Sequence, residues 1–267
     1  MPELKSFDRV AHCYDETRAM PPHVTVQVID AVESVLRKVA AAPWLVEVGI
    51  GTGRIAVPLA ERAIRVTGID ISTSMMGVLR GKRTDIDLLL AEASHPPLRE
   101  ASFDGALFVH ILHLVPDAEA TMRATLPLVR PGGVVVRGNE HRPDGSLDEQ
   151  LGDILQETAR EVLGIELQGR RGYARGVSAF EEILTRSGCT MEQRRIAMWD
   201  VPLTGRQVQD GLLAKTNSGS WQIPDHRLRE LHDALEPRIS ALMGGMDVER
   251  PAVRTFDLTV ARLPGGS

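Results

Sequence analysis

A chain of 267 residues, 43% of them hydrophobic, can bury a sizeable core as one large domain or as a domain with a smaller companion. Its formal charge of −5, with no long block of Lys or Arg, argues against a nucleic-acid partner, because a phosphate backbone is held by clustered cations. The sequence has no run of about 18 uncharged apolar residues and no apolar stretch behind residues 1–10, so it is read as having no membrane span or leader and as cytoplasmic.

In chain order, the apolar spacing predicts a helix over 22–39, a strand over 44–48, and a helix over 54–63 that Pro58 should kink. A strand over 64–69 ends in Asp70. A helix over 72–81, a strand over 86–91 and a strand over 105–110 follow. A helix over 117–129 stops at "RPGG", and 134–137 reads as a fifth strand. Strands separated by helix-length segments imply parallel pairing with right-handed crossovers, hence an α/β, doubly wound, mostly parallel sheet. Beyond that point the rhythm breaks. Helices are expected over 147–163, 177–187, 205–214 and 225–243, strands over 191–201 and 255–263, and a loop over the glycine- and arginine-rich 167–176.

The first strand runs into "LVEVGIGTGR", residues 45–54, where Gly49, Gly51 and Gly53 alternate behind the acid Glu47. In an open parallel sheet this first βα turn is where backbone approaches a ligand closely. The dinucleotide fingerprint GxGxxG/A requires a small residue where this chain has Arg54, which counts against NAD. Glu47 would repel a pyrophosphate and suits a cationic centre or hydroxyl donors. Asp70 lies 21 residues after Gly49, the usual distance for a carboxylate that accepts from ribose hydroxyls. The ligand these residues describe is a nucleoside without phosphate. Cys13 and Cys189 have no metal-binding or disulfide spacing, and His110 and His113, three residues apart, have no third ligand beside them, so no metal site is expected.

Residues 14–136 resemble the class I S-adenosylmethionine-dependent methyltransferases, particularly the small-molecule branch grouped as type 11. "VEVGIGTGR" is similar to the first motif of that family, "GIDIS" to its acidic second motif, "LLAEASHPPLREASFDGALFVHILHLV" to the stretch through strands three and four, and "RPGGVVV" to the approach to strand five. The resemblance implies a seven-stranded Rossmann-like sheet closed by an antiparallel β6/β7 pair. It implies that Gly49, Gly51 and Gly53 pass under the methionine moiety, that Asp70 binds the ribose, and that Ile71 and Met75 sandwich the adenine. It places Glu92 and Ala93 at the adenine edge, Val109 and His110 along the methionyl side, and Tyr14 and Arg18 over the site as a lid. The family usually has Asp where this chain has Glu92.

Set on that fold, residues 1–139 form the cofactor-binding core with its N-terminal lid. Residues 140–176 and 202–252 are insertions expected to make a helical cap over the substrate, and 177–201 and 253–267 complete the core sheet. The implied reaction is methyl transfer from S-adenosylmethionine to an O, N or C nucleophile of a small molecule, with His110, His113 or His141 as the candidate base, since imidazole titrates near neutral pH. A non-catalytic S-adenosylmethionine-binding protein is the alternative of another class, and an NAD-dependent dehydrogenase is the alternative that Arg54 disfavours.

Overall fold

The computed structural model describes residues 7–167, 169–215 and 220–265. A 3-10 turn, Asp8–Cys13, leads into the short helix α1 (Tyr14–Arg18) and then α2 (Pro22–Arg37), whose Val24, Val28, Ile29, Val32, Val35 and Leu36 form one buried stripe. There follow β1 (Trp44–Val48), α3 (Ala56–Glu61), β2 (Arg65–Asp70), α4 (Thr73–Lys82), β3 (Asp87–Leu90), β4 (Phe103–Val109), α5 (Ala118–Thr125) and β5 (Val129–His141). The chain continues through α6 (Leu147–Thr158), α7 (Gly169–Arg186), β6 (Thr190–Leu203), α8 (Gly205–Leu213), α9 (Leu228–Met243) and β7 (Arg250–Arg262).

The seven strands form one mostly parallel sheet in the order β3-β2-β1-β4-β5-β7-β6. The four pairings from β3 to β5 are parallel, with Val48 opposite both Ile69 of β2 and Phe108 of β4. The reversal of strand order at β1, between β2 and β4, is the topological switch point where such sheets open a crevice at their carboxyl ends.

Cα packing divides the chain into two compact units. One comprises Met1–Asn139, Gly172–Ala197 and Phe256–Ser267, and the other Glu140–Arg171 and Met198–Thr255. The first has a core in which Val46, Val48, Phe103, Phe108 and Val135 of the sheet meet Phe180 and Leu184 of α7. The second is built around Leu231, Leu235, Ile239 and Met243 of α9 with Leu147 and Leu151 of α6. Among the described residues, no helix is long and apolar enough to cross a membrane.

Four sequence expectations are corrected. The helix expected over 54–63 is only Ala56–Glu61, and Pro58 is its third residue; in the first turn the missing N–H is not needed, so Pro58 does not divide a helix. The strand expected from Gly105 begins at Phe103 and stops at Val109. "RPGG" is no break before the fifth strand but part of β5, where the register against β4 shifts between Phe103 and Gly105. The loop expected over 167–176 is helical from Gly169, the start of α7, while Gln168 lies outside the described residues. Glycine lowers helix propensity, but packing prevails at Gly176, where a Cβ would stand 3.0 Å from the backbone of Leu112.

Candidate cofactor and acceptor site

The turn after β1 is held in a conformation that L side chains rarely adopt: φ is +73° at Gly49, +54° at Gly51 and +77° at Gly53. Space is as limiting as torsion. A Cβ on Gly49 would stand 2.6 Å from Ile111, and one on Gly53 2.9 Å from Leu79. The turn is fastened to β2, since Gly49 and Ile50 both donate to the carbonyl of Ile69, at 2.8 and 3.1 Å.

Asp70, the last residue of β2, accepts from the Gly51 amide at 2.8 Å through Oδ2 and from the Ser72 amide at 2.9 Å through Oδ1. Burial raises its pKa, and the amide hydrogen bonds from Ser72 and Gly51 act against that rise. Ser72 caps α4 by accepting from the Met75 amide at 3.1 Å. This cap sets Met75, 4% exposed, beside the turn, where its Cε would be 3.2 Å from a Cβ on Gly51. Ile71 lies between Asp70 and the cap, while Glu92 and Ala93 follow β3 where the Ala91 amide donates to the Asp70 carbonyl at 3.0 Å. Val109 ends β4.

Glu47 lies in the middle of β1, 3% exposed, and its Oε2 has no hydrogen-bond partner among the described residues. Burial and the neighbouring Asp70 push its carboxyl up to about 8, against the pull of Arg54. Arg54 therefore has a role that the sequence motif did not give it, because its charge also reaches His110. Burial, with the charges of Arg54, His113 and Arg18, brings the His110 imidazole down to about 3, while a side-chain hydrogen bond with Asn139 acts the other way. His110 is thus a neutral imidazole. It also has φ of +54°, a left-handed conformation that His tolerates better than most residues.

His110 and His113 line one cavity together with Phe108, Arg137, Asn139 and Gly176. His141 ends β5, belongs to the second compact unit and is not among the residues lining this cavity. Of the three histidines named from sequence, the structure brings two together.

The N-terminal segment docks on the turn through Asp15 and Asp8. Asp15 accepts from the Thr52 hydroxyl at 2.6 Å and pairs with Lys82 of α4, and Lys82 also donates to the Thr52 carbonyl at 2.8 Å. Asp8 accepts from the Ser72 hydroxyl at 2.5 Å and from the Ser74 amide at 3.1 Å. Tyr14 stacks edge-on with Phe7 at 5.6 Å, and the charge of Arg18 acts on His110. No arrangement of helix periodicity announces these bonds; the only sequence signal was an acid on the same short helix as Tyr14 and Arg18.

A seven-stranded sheet with this order, a positive-φ glycine turn after β1 and a carboxylate closing β2 define the Rossmann-like methyltransferase fold. Residues 46–137, about a third of the chain, match the family described as "Methyltransferase domain". The Ubiquinone biosynthesis O-methyltransferase of Azoarcus sp. (strain BH72) is 35% identical over 101 residues, covering 36% of this chain and 43% of that protein. The chain spans about half the length of the curated relatives it matches.

Two solved structures share the fold at low identity. The YcgJ protein from Bacillus subtilis has a TM-score of 0.57 at 15% identity, covering 91% of this chain and 99% of that one. The phosphoethanolamine N-methyltransferase 2 of Haemonchus contortus, in complex with phosphomonomethylethanolamine and S-adenosylhomocysteine, has a TM-score of 0.54 at 16% identity over 97% of this chain and 58% of that one.

Proposed function

We propose that this protein transfers the methyl group of S-adenosylmethionine to an oxygen, nitrogen or carbon nucleophile of a small molecule. The observation that carries the reading is the glycine turn pinned to Asp70: bare backbone at the switch point, closed by a carboxylate that accepts from the Gly51, Ser72 and Ile71 amides. A carboxylate has about four acceptor positions, so these amides leave room for a ribose hydroxyl. The glycines leave room for a ligand to pass against the backbone, and Glu47 offers a buried oxygen without a partner to a cationic or hydroxyl-bearing group.

When bound, the cofactor supplies a methyl group already activated on a sulfonium. The work left to the chain is to align the acceptor in line with that methyl and to keep water away. Met75 and Ile71 would flank the adenine, Glu92 and Ala93 its edge, and Val109 and His110 the methionyl side. Tyr14 and Arg18 would cover the site from a segment already fastened to Thr52 and Ser72. His110, held neutral by its burial, would be a hydrogen-bond partner that orients the acceptor, and His113 lines the same cavity.

The Azoarcus relative's name and the methyl-transfer title of the Haemonchus structure support a small-molecule acceptor. The acidic balance supports the same choice over nucleic acid. The test is incubation with methyl-labelled S-adenosylmethionine and a panel of phenols, amines and carboxylic acids, following S-adenosylhomocysteine. Label transfer to at least one class is expected; binding of the cofactor without turnover on any class would leave a binding protein instead.

A further inference from the structure

Arg137 lies in β5 opposite Phe108 of β4 and is 8% exposed. A guanidinium does not shed its proton in proteins, so burial confines a full positive charge. Its Nη2 donates to the Thr259 hydroxyl at 3.2 Å, and its central carbon lies 5.1 Å from the centroid of the Phe180 ring. Both partners are uncharged. Nε and Nη1 are closed off from solvent and have no hydrogen-bond partner among the described residues. An unpaired buried ion is costly, and each orphaned donor adds to that cost.

Arg137 lines the cavity that holds His110 and His113, and none of the described residues lining it is an acid. Asn139 is neutral and His110 is held neutral, so the wall offers Arg137 no counter-charge. With only about 20 Å³ of space, the cavity is far smaller than the roughly 300–1,000 Å³ that encloses a drug-sized ligand, and it suits one small end of a molecule. A carboxylate has that size, a single charge and two acceptor oxygens for a guanidinium with donors to spare.

We infer that Arg137 is a binding residue for a carboxylate, carried as the acidic group of the methyl acceptor and held in the cavity beside His110 and His113. The assignment of that carboxylate to an acceptor rests on the methyltransferase reading. The anion site itself rests on the buried guanidinium. The acceptor class it selects is a small carboxylic acid, oriented by its charged end.

The test uses the full chain and two matched probes, acetate and neutral acetamide, at constant ionic strength. Acetate is expected to raise the melting temperature of the wild type in a saturable way, acetamide to leave it unchanged, and Arg137→Met to bind acetate at least about tenfold more weakly. Equal responses to the two probes, or an acetate response retained in Arg137→Met, would overturn the inference. If Arg137→Met does not fold, the Arg137 Nε–H resonance of the wild type, assigned through Arg137→Lys, decides: a saturable shift with acetate alone supports the site, and no shift rejects it. Titration of S-adenosylmethionine into the same wild-type protein judges the methyltransferase reading separately. Its failure beside a positive acetate result removes the acceptor's identity and leaves the anion site standing.

Discussion

The Gly51 amide donates to Oδ2 of Asp70 at 2.8 Å, so the carboxylate that closes β2 also fixes the turn that follows β1. Oδ1 meanwhile holds the Ser72 amide at 2.9 Å at the start of α4. Asp70→Asn must set an NH2 group against one of these two N–H donors. It is expected to destabilise the fold by about 1–3 kcal/mol, the cost of a buried donor left unmatched, read as a lower urea midpoint with an unchanged slope. An unaltered midpoint would show that the turn keeps its shape without the carboxylate.

Gly49 and Gly132 separate torsion from crowding. Both have positive φ, +73° and +74°, but a Cβ on Gly49 meets Ile111 at 2.6 Å whereas one on Gly132 meets nothing within 4 Å. Gly132→Ala is expected to cost about 1–2 kcal/mol for the left-handed backbone alone, and Gly49→Ala distinctly more. Chemical denaturation of the two variants measures the difference, and equal losses would mean that Ile111 gives way freely.

Glu47 supplies a pH dependence with a defined sign. Its carboxyl titrates at about 8 in the fold against an ordinary 4.5, so the folded chain holds a proton that the unfolded chain releases. That contribution to stability is complete below pH 4.5 and is lost as pH rises to about 8. Glu47→Gln, which stays neutral, is therefore expected to melt above the wild type at pH 8, with the gap closing towards pH 5. If the ionised carboxylate faces the cationic part of S-adenosylmethionine, the wild type also releases a proton on binding at pH 7. Calorimetry in phosphate and in Tris would then give different apparent enthalpies, and the difference should vanish in Glu47→Gln.

Lys82 ties the N-terminal segment to the turn through Asp15 and the Thr52 carbonyl. The ion pair is about one-third exposed on each side, so by itself it adds little stability, about 1 kcal/mol or less. Lys82→Met is expected to leave melting nearly unchanged while the cofactor dissociates several times faster. Stopped-flow chase with unlabelled cofactor reads this, and an unchanged rate would show that the segment is packing and not a lid.

How much of this was legible in the sequence depended on whether a local pattern carried it. The α2 stripe follows from helical spacing and β1 from its apolar run, and both emerged within two residues of their expected ends. The glycine turn and Asp70 were legible because torsion and close approach restrict the residue type. The first eight residues of α7 were not, since their glycines read as loop and the close approach of Gly176 to Leu112 is distant in sequence. Asp15 offered Arg18 as an obvious local partner and found Lys82, 67 residues away. In the sequence, Arg137 reads only as the end of the fifth strand. Its burial arises from Phe180 and Thr259, which belong to elements that no local pattern connects to β5.

The account stands most directly on calorimetric titration of S-adenosylmethionine into the wild type and Asp70→Ala, with NAD as the competing ligand. The predicted result is one cofactor per chain, an affinity about tenfold to a hundredfold weaker in Asp70→Ala from the loss of charge-assisted bonds to the ribose, and no heat with NAD. No binding of S-adenosylmethionine to the wild type, or the same affinity in both proteins, would contradict it.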